Sequence, residues 1–241
     1  MTQNTSSRIS RRGFMKGAVG VGGGIAITSF AASFGMGTAQ AAEAGDDVAT
    51  MANLAATAET LAATSYYNTI LNNPLGYDDD DLVYLKLALS SEMYHLAILQ
   101  SLGGKSLADK FYVPAKFLSD SGVNTATFMA AETAFTGAYL AATRRFAELG
   151  LPNLAATTAQ HAATEAEHLA LTRLIGGFVP NPNALPAPIY YNVSNAVPTL
   201  APFLKGGTGF IGPVPFPGAD AINALLGGIK AFPVPPYVKA Y

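Results

Sequence analysis

No cysteine occurs among the 241 residues, and only 12% of them are charged, against about 25% in ordinary globular chains. The first absence excludes a disulfide framework, a thiolate zinc site, a cysteine nucleophile and an iron–sulfur cluster. Basic residues are scarcer still over most of the chain. Four of the fourteen, Arg8, Arg11, Arg12 and Lys16, precede residue 17, whereas all sixteen acidic residues follow residue 42. The remaining surface is mildly acidic, which argues against nucleic acid as a partner, because neutralising phosphates takes clustered Lys and Arg. Apolar residues are plentiful: they make up 50% of the chain, and the mean hydropathy is +0.26. That suffices for a core and excludes general disorder, within a length that allows one good-sized domain or two small ones.

Residues 10–16 read SRRGFMK, followed by an uncharged run from Gly17 to Met36 and then by TAQAA. Paired arginines, Phe14, a weakly hydrophobic core and a small-x-small site together resemble a twin-arginine export signal. Twenty apolar residues can also span a bilayer. The four glycines within 20–24 are poor helix formers, and with Ala39-Gln40-Ala41 they favour cleavage after Ala41. The expectation is a signal at 1–41, periplasmic or extracellular location, and no stable membrane span after cleavage. The twin-arginine resemblance implies export in the folded state, often with a cofactor already loaded.

Residues 42–177 read as four long helices rich in Ala, Leu and Met. The first starts at Asp46-Asp47 and runs to the NNPLG turn at 72–76, and the second spans Asp78 to Gly103-Gly104. A longer connection over 105–123 contains Pro114; the third helix then begins after Asn124 and stops at Gly150, and the fourth runs from Asn153 to Gly176-Gly177. Short, long and short connections are the pattern of an all-α four-helix bundle with one long crossover. The run Asp78 to Asp81 reads as negative charge complementing a helix N-terminus. Twelve of the fifteen prolines fall in 180–236, so residues 178–241 read as a Pro/Gly-rich extended C-terminal segment with one short helix near Ala219 to Lys230. This apolar segment is expected to pack on the bundle or to join copies of the chain in a homo-oligomer.

Chemistry is concentrated in two short motifs. Glu92-Met93-Tyr94-His95 and Glu165-Ala166-Glu167-His168 are both E-x-x-H, and both continue Leu-Ala. Chance predicts about 0.09 such motifs for this composition. A shift of 73 residues also places Ala58-Glu59-Thr60 on Ala131-Glu132-Thr133 and Tyr66 on Tyr139. Each helical hairpin therefore carries a Glu on its first helix and E-x-x-H on its second, 33 residues later. Residues i and i+3 share a helix face, and at ~1.5 Å per residue the two groups of each hairpin lie level to within about one turn. Glu59, Glu92, His95, Glu132, Glu165 and His168 can thus meet near mid-bundle.

This arrangement resembles the ferritin-like di-iron or di-manganese carboxylate superfamily, in which two helices each give a Glu and two each give E-x-x-H. The exported bundle with a Pro-rich extension is most similar to the ferritin-like group that includes desiccation-related proteins. The resemblance implies two iron or manganese ions, with Glu92 and Glu165 bridging, Glu59 and Glu132 terminal, and His95 and His168 each holding one ion. Oxygen or peroxide redox chemistry, iron storage and a structural stress-protective role all accommodate these ligands. Tyr66 and Tyr139, each seven residues after a ligand Glu, read as hydrogen-bond donors to the site, redox-active groups or ordinary core tyrosines. His161 lies one turn before Glu165 but has Ala88 as its repeat mate, and reads as an extra ligand, an access-path residue or core packing.

Overall fold

The computed structural model describes residues 45–237; the expected export signal at 1–41 lies outside them. The chain is mostly helical. Four long helices come first: α1 (Val48–Ile70), α2 (Asp79–Ser101), α3 (Ser121–Glu148) and α4 (Pro152–Ile175). Asp47 caps α1 by accepting from the Thr50 N–H at 2.7 Å. Asp78 caps α2 by accepting from the Asp81 N–H at 2.9 Å, and Asp79 to Asp81 fill its first turn, where the helix dipole favours negative charge. The turn between them places Asn72 and Asn73 in the left-handed region, and the Asn73 side chain bonds the Tyr77 N–H and carbonyl.

The third long helix starts at Ser121, four residues earlier than the start expected after Asn124. Asp120 is the capping residue, accepting from the Gly122 and Val123 N–H groups. Asn124 is instead buried, and its amide donates to Thr69 Oγ1 and the Phe117 carbonyl, both at 3.0 Å. Pro152 opens α4, where its missing N–H costs nothing.

The principal packing pairs are α1 with α2 and α3 with α4, and α1–α3 and α2–α4 contacts join them. Buried Leu61, Leu89, Phe111, Phe117 and Phe128 belong to the main core, and Met51, Phe146 and Tyr190 to a second cluster. Many buried positions on these helices are threonine. Thr57, Thr60, Thr64 and Thr127 each return their hydroxyl to the carbonyl four residues earlier, which satisfies the hydroxyl within its own helix, and Thr57 Oγ1 also accepts from the Leu107 N–H at 2.9 Å. By length and composition α2 could cross a membrane; in this fold its Leu85, Leu89, Glu92 and His95 are buried.

The long connection and the Pro-rich segment hold more structure than the single short helix expected. Strand β1 (Lys110–Pro114), within the crossover, pairs antiparallel with β2 (Phe210–Pro215), with Phe111 opposite Val214 and a bulge between Phe111 and Val113. A 3-10 turn at Val193–Ala196 leads into α5 (Val197–Lys205), and α6 (Ala219–Leu226) buries Ile222 and Leu226. The nine-residue α5 accommodates Pro198 in its first turn, where no N–H is needed, and also carries Pro202 in its interior before ending at Gly206.

The C-terminal segment lies against the long helices. Arg144 stacks over Tyr191 at 3.7 Å from the ring centroid and donates to the Tyr191 carbonyl at 2.7 Å. Ala231 donates its N–H to Ser90 Oγ on α2, Tyr94 its hydroxyl to the Val234 carbonyl, and Tyr237 its N–H to Gln160 Oε1 on α4. At Gly137 on α3 the approach is close, since a Cβ there would lie 2.5 Å from Ile189 Cγ1. Mid-helix Gly→Ala normally stabilises by about 0.5–1 kcal/mol. Gly137→Ala is expected to do the reverse and cost about 1–3 kcal/mol, as overpacking does, in a urea unfolding curve.

Candidate metal centre

Six buried side chains from all four long helices converge in the interior. Glu59 comes from α1, Glu92 and His95 from α2, Glu132 from α3, and Glu165 and His168 from α4; the four glutamates are at most 1% exposed. Ala- and Leu-rich helices supply this depth. The i, i+3 spacing within each E-x-x-H sets His95 Nδ1 3.6 Å from Glu92 Oε2, and His168 Nδ1 3.4 Å from Glu165 Oε2.

Across the helices the contacts are reciprocal. Glu165 Oε1 lies 3.0 Å from His95 Nδ1, and Glu92 Oε1 lies 2.8 Å from His168 Nδ1. Glu59 Oε2 is 3.6 Å from His95 Nδ1, and Glu132 Oε2 is 4.0 Å from His168 Nδ1. Glu92 and Glu165 therefore each turn one oxygen to one histidine and the other oxygen to the second. Two overlapping groups result, Glu59–Glu92–His95–Glu165 and Glu92–Glu132–Glu165–His168, with the ligand atoms of each group within 4.8 Å of one another. Each group can hold a metal ion.

Several of these approaches are short, yet none has hydrogen-bond geometry. Eight atoms of the six residues are buried without a hydrogen-bond partner: Oε2 of Glu59 and Glu132, both oxygens of Glu92 and of Glu165, and Nδ1 of both histidines. Burying such atoms without hydrogen bonds is costly; the histidine–carboxylate contacts are their only charged partners among the described residues, since no lysine or arginine pairs with the cluster. Arg144 and Arg145 pair with Glu148 at the surface instead.

Protons are distributed unevenly over this cluster. Burial, reinforced by repulsion from Glu92 and Glu165, pushes Glu59 and Glu132 well above the usual carboxylate range. Burial also opposes ionisation of Glu92 and Glu165, but contacts with both histidines, and for Glu92 with Glu59, hold them below that range. Burial disfavours charge on His95 and His168 too, yet the surrounding carboxylates raise both well above an ordinary histidine. In the metal-free cluster these directions favour protons on Glu59, Glu132 and the two imidazoles, and negative charge on Glu92 and Glu165.

The two tyrosines act across the repeat. Tyr66 on α1 donates its hydroxyl to Glu132 Oε1 at 2.5 Å, and Tyr139 on α3 donates to Glu59 Oε1. Burial keeps both phenols protonated by raising their pKa well above the usual value. Tyr139→Phe would leave Glu59 Oε1 buried without a donor, and the expected loss is about 1–3 kcal/mol of metal-free stability in chemical denaturation. Tyr66→Phe should behave alike through Glu132.

His161 joins neither group. Its Nδ1 lies 2.8 Å from the Thr157 carbonyl, which can only accept, so Nδ1 carries the proton. Its ring centroid lies 4.5 Å from that of His95 and 4.8 Å from that of Tyr139. Burial and the charge on His95 lower its pKa to about 4. The sequence signal overlooked was a run of alanines along α1 and α3, among them Ala55, Ala58, Ala134 and Ala138, which leaves open space beside His161. Tyr94, inside the first motif, faces outward to the C-terminal segment rather than to the cluster. No family model matches the chain, and no curated protein or solved structure matches it.

Proposed function

We propose that the protein is an exported four-helix bundle of the ferritin-like kind that holds two iron or manganese ions for oxygen or peroxide redox chemistry. The observation that carries this reading is the set of eight buried ligand atoms that make no hydrogen bond and are arranged as two overlapping groups. Two divalent ions, four carboxylates and two neutral imidazoles sum to zero charge, so metal can replace protons without creating buried charge. Oxygen and imidazole donors without thiolate suit iron or manganese and disfavour copper(I). When bound, such ions supply the electron transfers that no side chain of this cluster can.

The chain's own residues then have distinct tasks. Glu92 and Glu165, common to both groups, hold the two positions at a fixed separation. Tyr66 and Tyr139 restrain Glu132 and Glu59 through Oε1 and leave Oε2 turned inward. Arg11-Arg12 and the apolar run after them support export, and loading before export would suit a ligand set this deeply enclosed.

Metal analysis of the full chain, loaded anaerobically with iron(II) or manganese(II) and then desalted, tests the reading. About two ions per chain are expected, with oxygen or peroxide consumption by the loaded protein. A chain that retains neither metal overturns it.

A further inference from the structure

A cavity of about 140 Å³ runs between α1 and α3 and reaches α4 and α5. Apart from Tyr139, His161 and a few threonines its lining is apolar, and no charged side chain contributes. Val48 and Leu102, both partly exposed, line it toward solvent, and His161 and Tyr139 line it toward the cluster. An apolar space of this size accepts a molecule about the size of a benzene ring.

The polar atoms along it are almost all committed. The Tyr139 hydroxyl is held by Glu59, Thr158 Oγ1 lies within hydrogen-bond distance of Thr143 Oγ1 and the Leu154 carbonyl, and Thr199 Oγ1 is paired with Tyr190. The exception is His161 Nε2, which is buried and has no partner. Because Nδ1–H is fixed on the Thr157 carbonyl, Nε2 of the neutral ring offers a lone pair. A buried acceptor in an otherwise apolar chamber selects for a donor on the ligand, and rejects an analogue that lacks one.

We propose that this cavity binds an uncharged, largely apolar molecule carrying one O–H or N–H group, with that group donating to His161 Nε2. The head of the ligand then lies beside His95 and Tyr139, at the Glu59–His95 end of the cluster. The repeat gives no counterpart at the other end, since Ala88 occupies the position equivalent to His161. The two otherwise equivalent groups are thereby made different, one facing a substrate chamber and one enclosed. The claim that the ligand is presented to a metal ion rests on the metal reading above; the claim about the cavity does not.

The full chain, metal-free and loaded with cobalt(II), would be titrated with 4-methylphenol and with toluene, which differ only by the hydroxyl. Saturable binding by calorimetry is expected for both, with the phenol about tenfold tighter, and with a phenol-dependent change in the cobalt visible spectrum. His161→Phe should bring the phenol down to toluene's affinity, and Ala138→Phe, which fills the cavity, should abolish binding of both. Equal affinities in the unaltered chain, no effect of His161→Phe, or binding that survives Ala138→Phe overturns the cavity proposal. Cobalt uptake with a spectrum that 4-methylphenol leaves unchanged overturns presentation to the metal. Failure to take up cobalt overturns the metal reading instead, and calorimetry on the metal-free chain still decides the cavity.

Discussion

Glu92→Gln is expected to weaken metal retention at both positions, whereas Glu59→Gln weakens one. Glu92 belongs to both groups and sends one oxygen toward each histidine, while Glu59 belongs only to the group around His95. Perturbing groups that merely orient a ligand already costs about 10–100-fold in affinity. Losing a shared carboxylate should therefore cost more than about 100-fold for the pair of ions. After desalting, Glu92→Gln should keep well under one ion per chain and Glu59→Gln about one; Glu165→Gln should resemble the first and Glu132→Gln the second. Equal retention by all four variants would mean that the two groups do not function as an overlapping pair. The metal-free variants carry a separate signature. Glu92 holds His168 at 2.8 Å, and breaking a buried pair of this kind costs about 3–5 kcal/mol, so Glu92→Gln should also unfold earlier in urea without metal.

Raising the pH should move metal-free and metal-loaded protein in opposite directions. Glu59 and Glu132 have folded pKa values raised above the ordinary 4.5, so the stability they contribute is full below that pH and is lost as pH rises toward their folded values. His95 and His168 are raised above 6.5, and their contribution declines in the same direction from that point upward. Glu92 and Glu165 are lowered, so theirs is present above 4.5 and is lost only as acid takes them through their folded values. Metal-free thermal stability should therefore fall as the pH rises above 4.5, and fall further above 6.5. Metal binding must displace a proton from each of Glu59, Glu132, His95 and His168, up to about two per ion, so affinity should rise by up to about 100-fold per pH unit. Calorimetry in buffers of different ionisation enthalpy counts these protons directly. Parallel stability slopes for the two forms, or no proton release, would show that the charge state derived for the cluster is wrong.

Much of the site was legible because its signal is local. Two E-x-x-H motifs, a 73-residue repeat and helix lengths set by Asp caps, glycines and a proline were enough to bring six residues from four helices to one level. The crosswise tyrosines were only half legible. The repeat paired Tyr66 with Tyr139, but not the fact that each would donate to the glutamate of the opposite hairpin. The remaining differences have long-range causes. Strand β1 pairs with β2 about a hundred positions later, so neither segment announces itself alone. The third helix was expected to begin after Asn124, but Asp120 caps it instead, and Asn124 is drawn inward by Thr69 and Phe117. The cavity is a property of facing alanines on α1 and α3, which a single helix pattern does not reveal.

The overlap of the two groups bears on how quickly the centre can exchange its contents. The first takes Glu59, Glu92 and His95 from α1 and α2 and borrows Glu165 from α4; the second takes Glu132, Glu165 and His168 from α3 and α4 and borrows Glu92 from α2. Neither half of the chain can complete a four-donor site alone. A bound pair would act as a clasp between the halves, so weakening the contact between them should shorten the residence time of the ions, read as faster loss to a chelator.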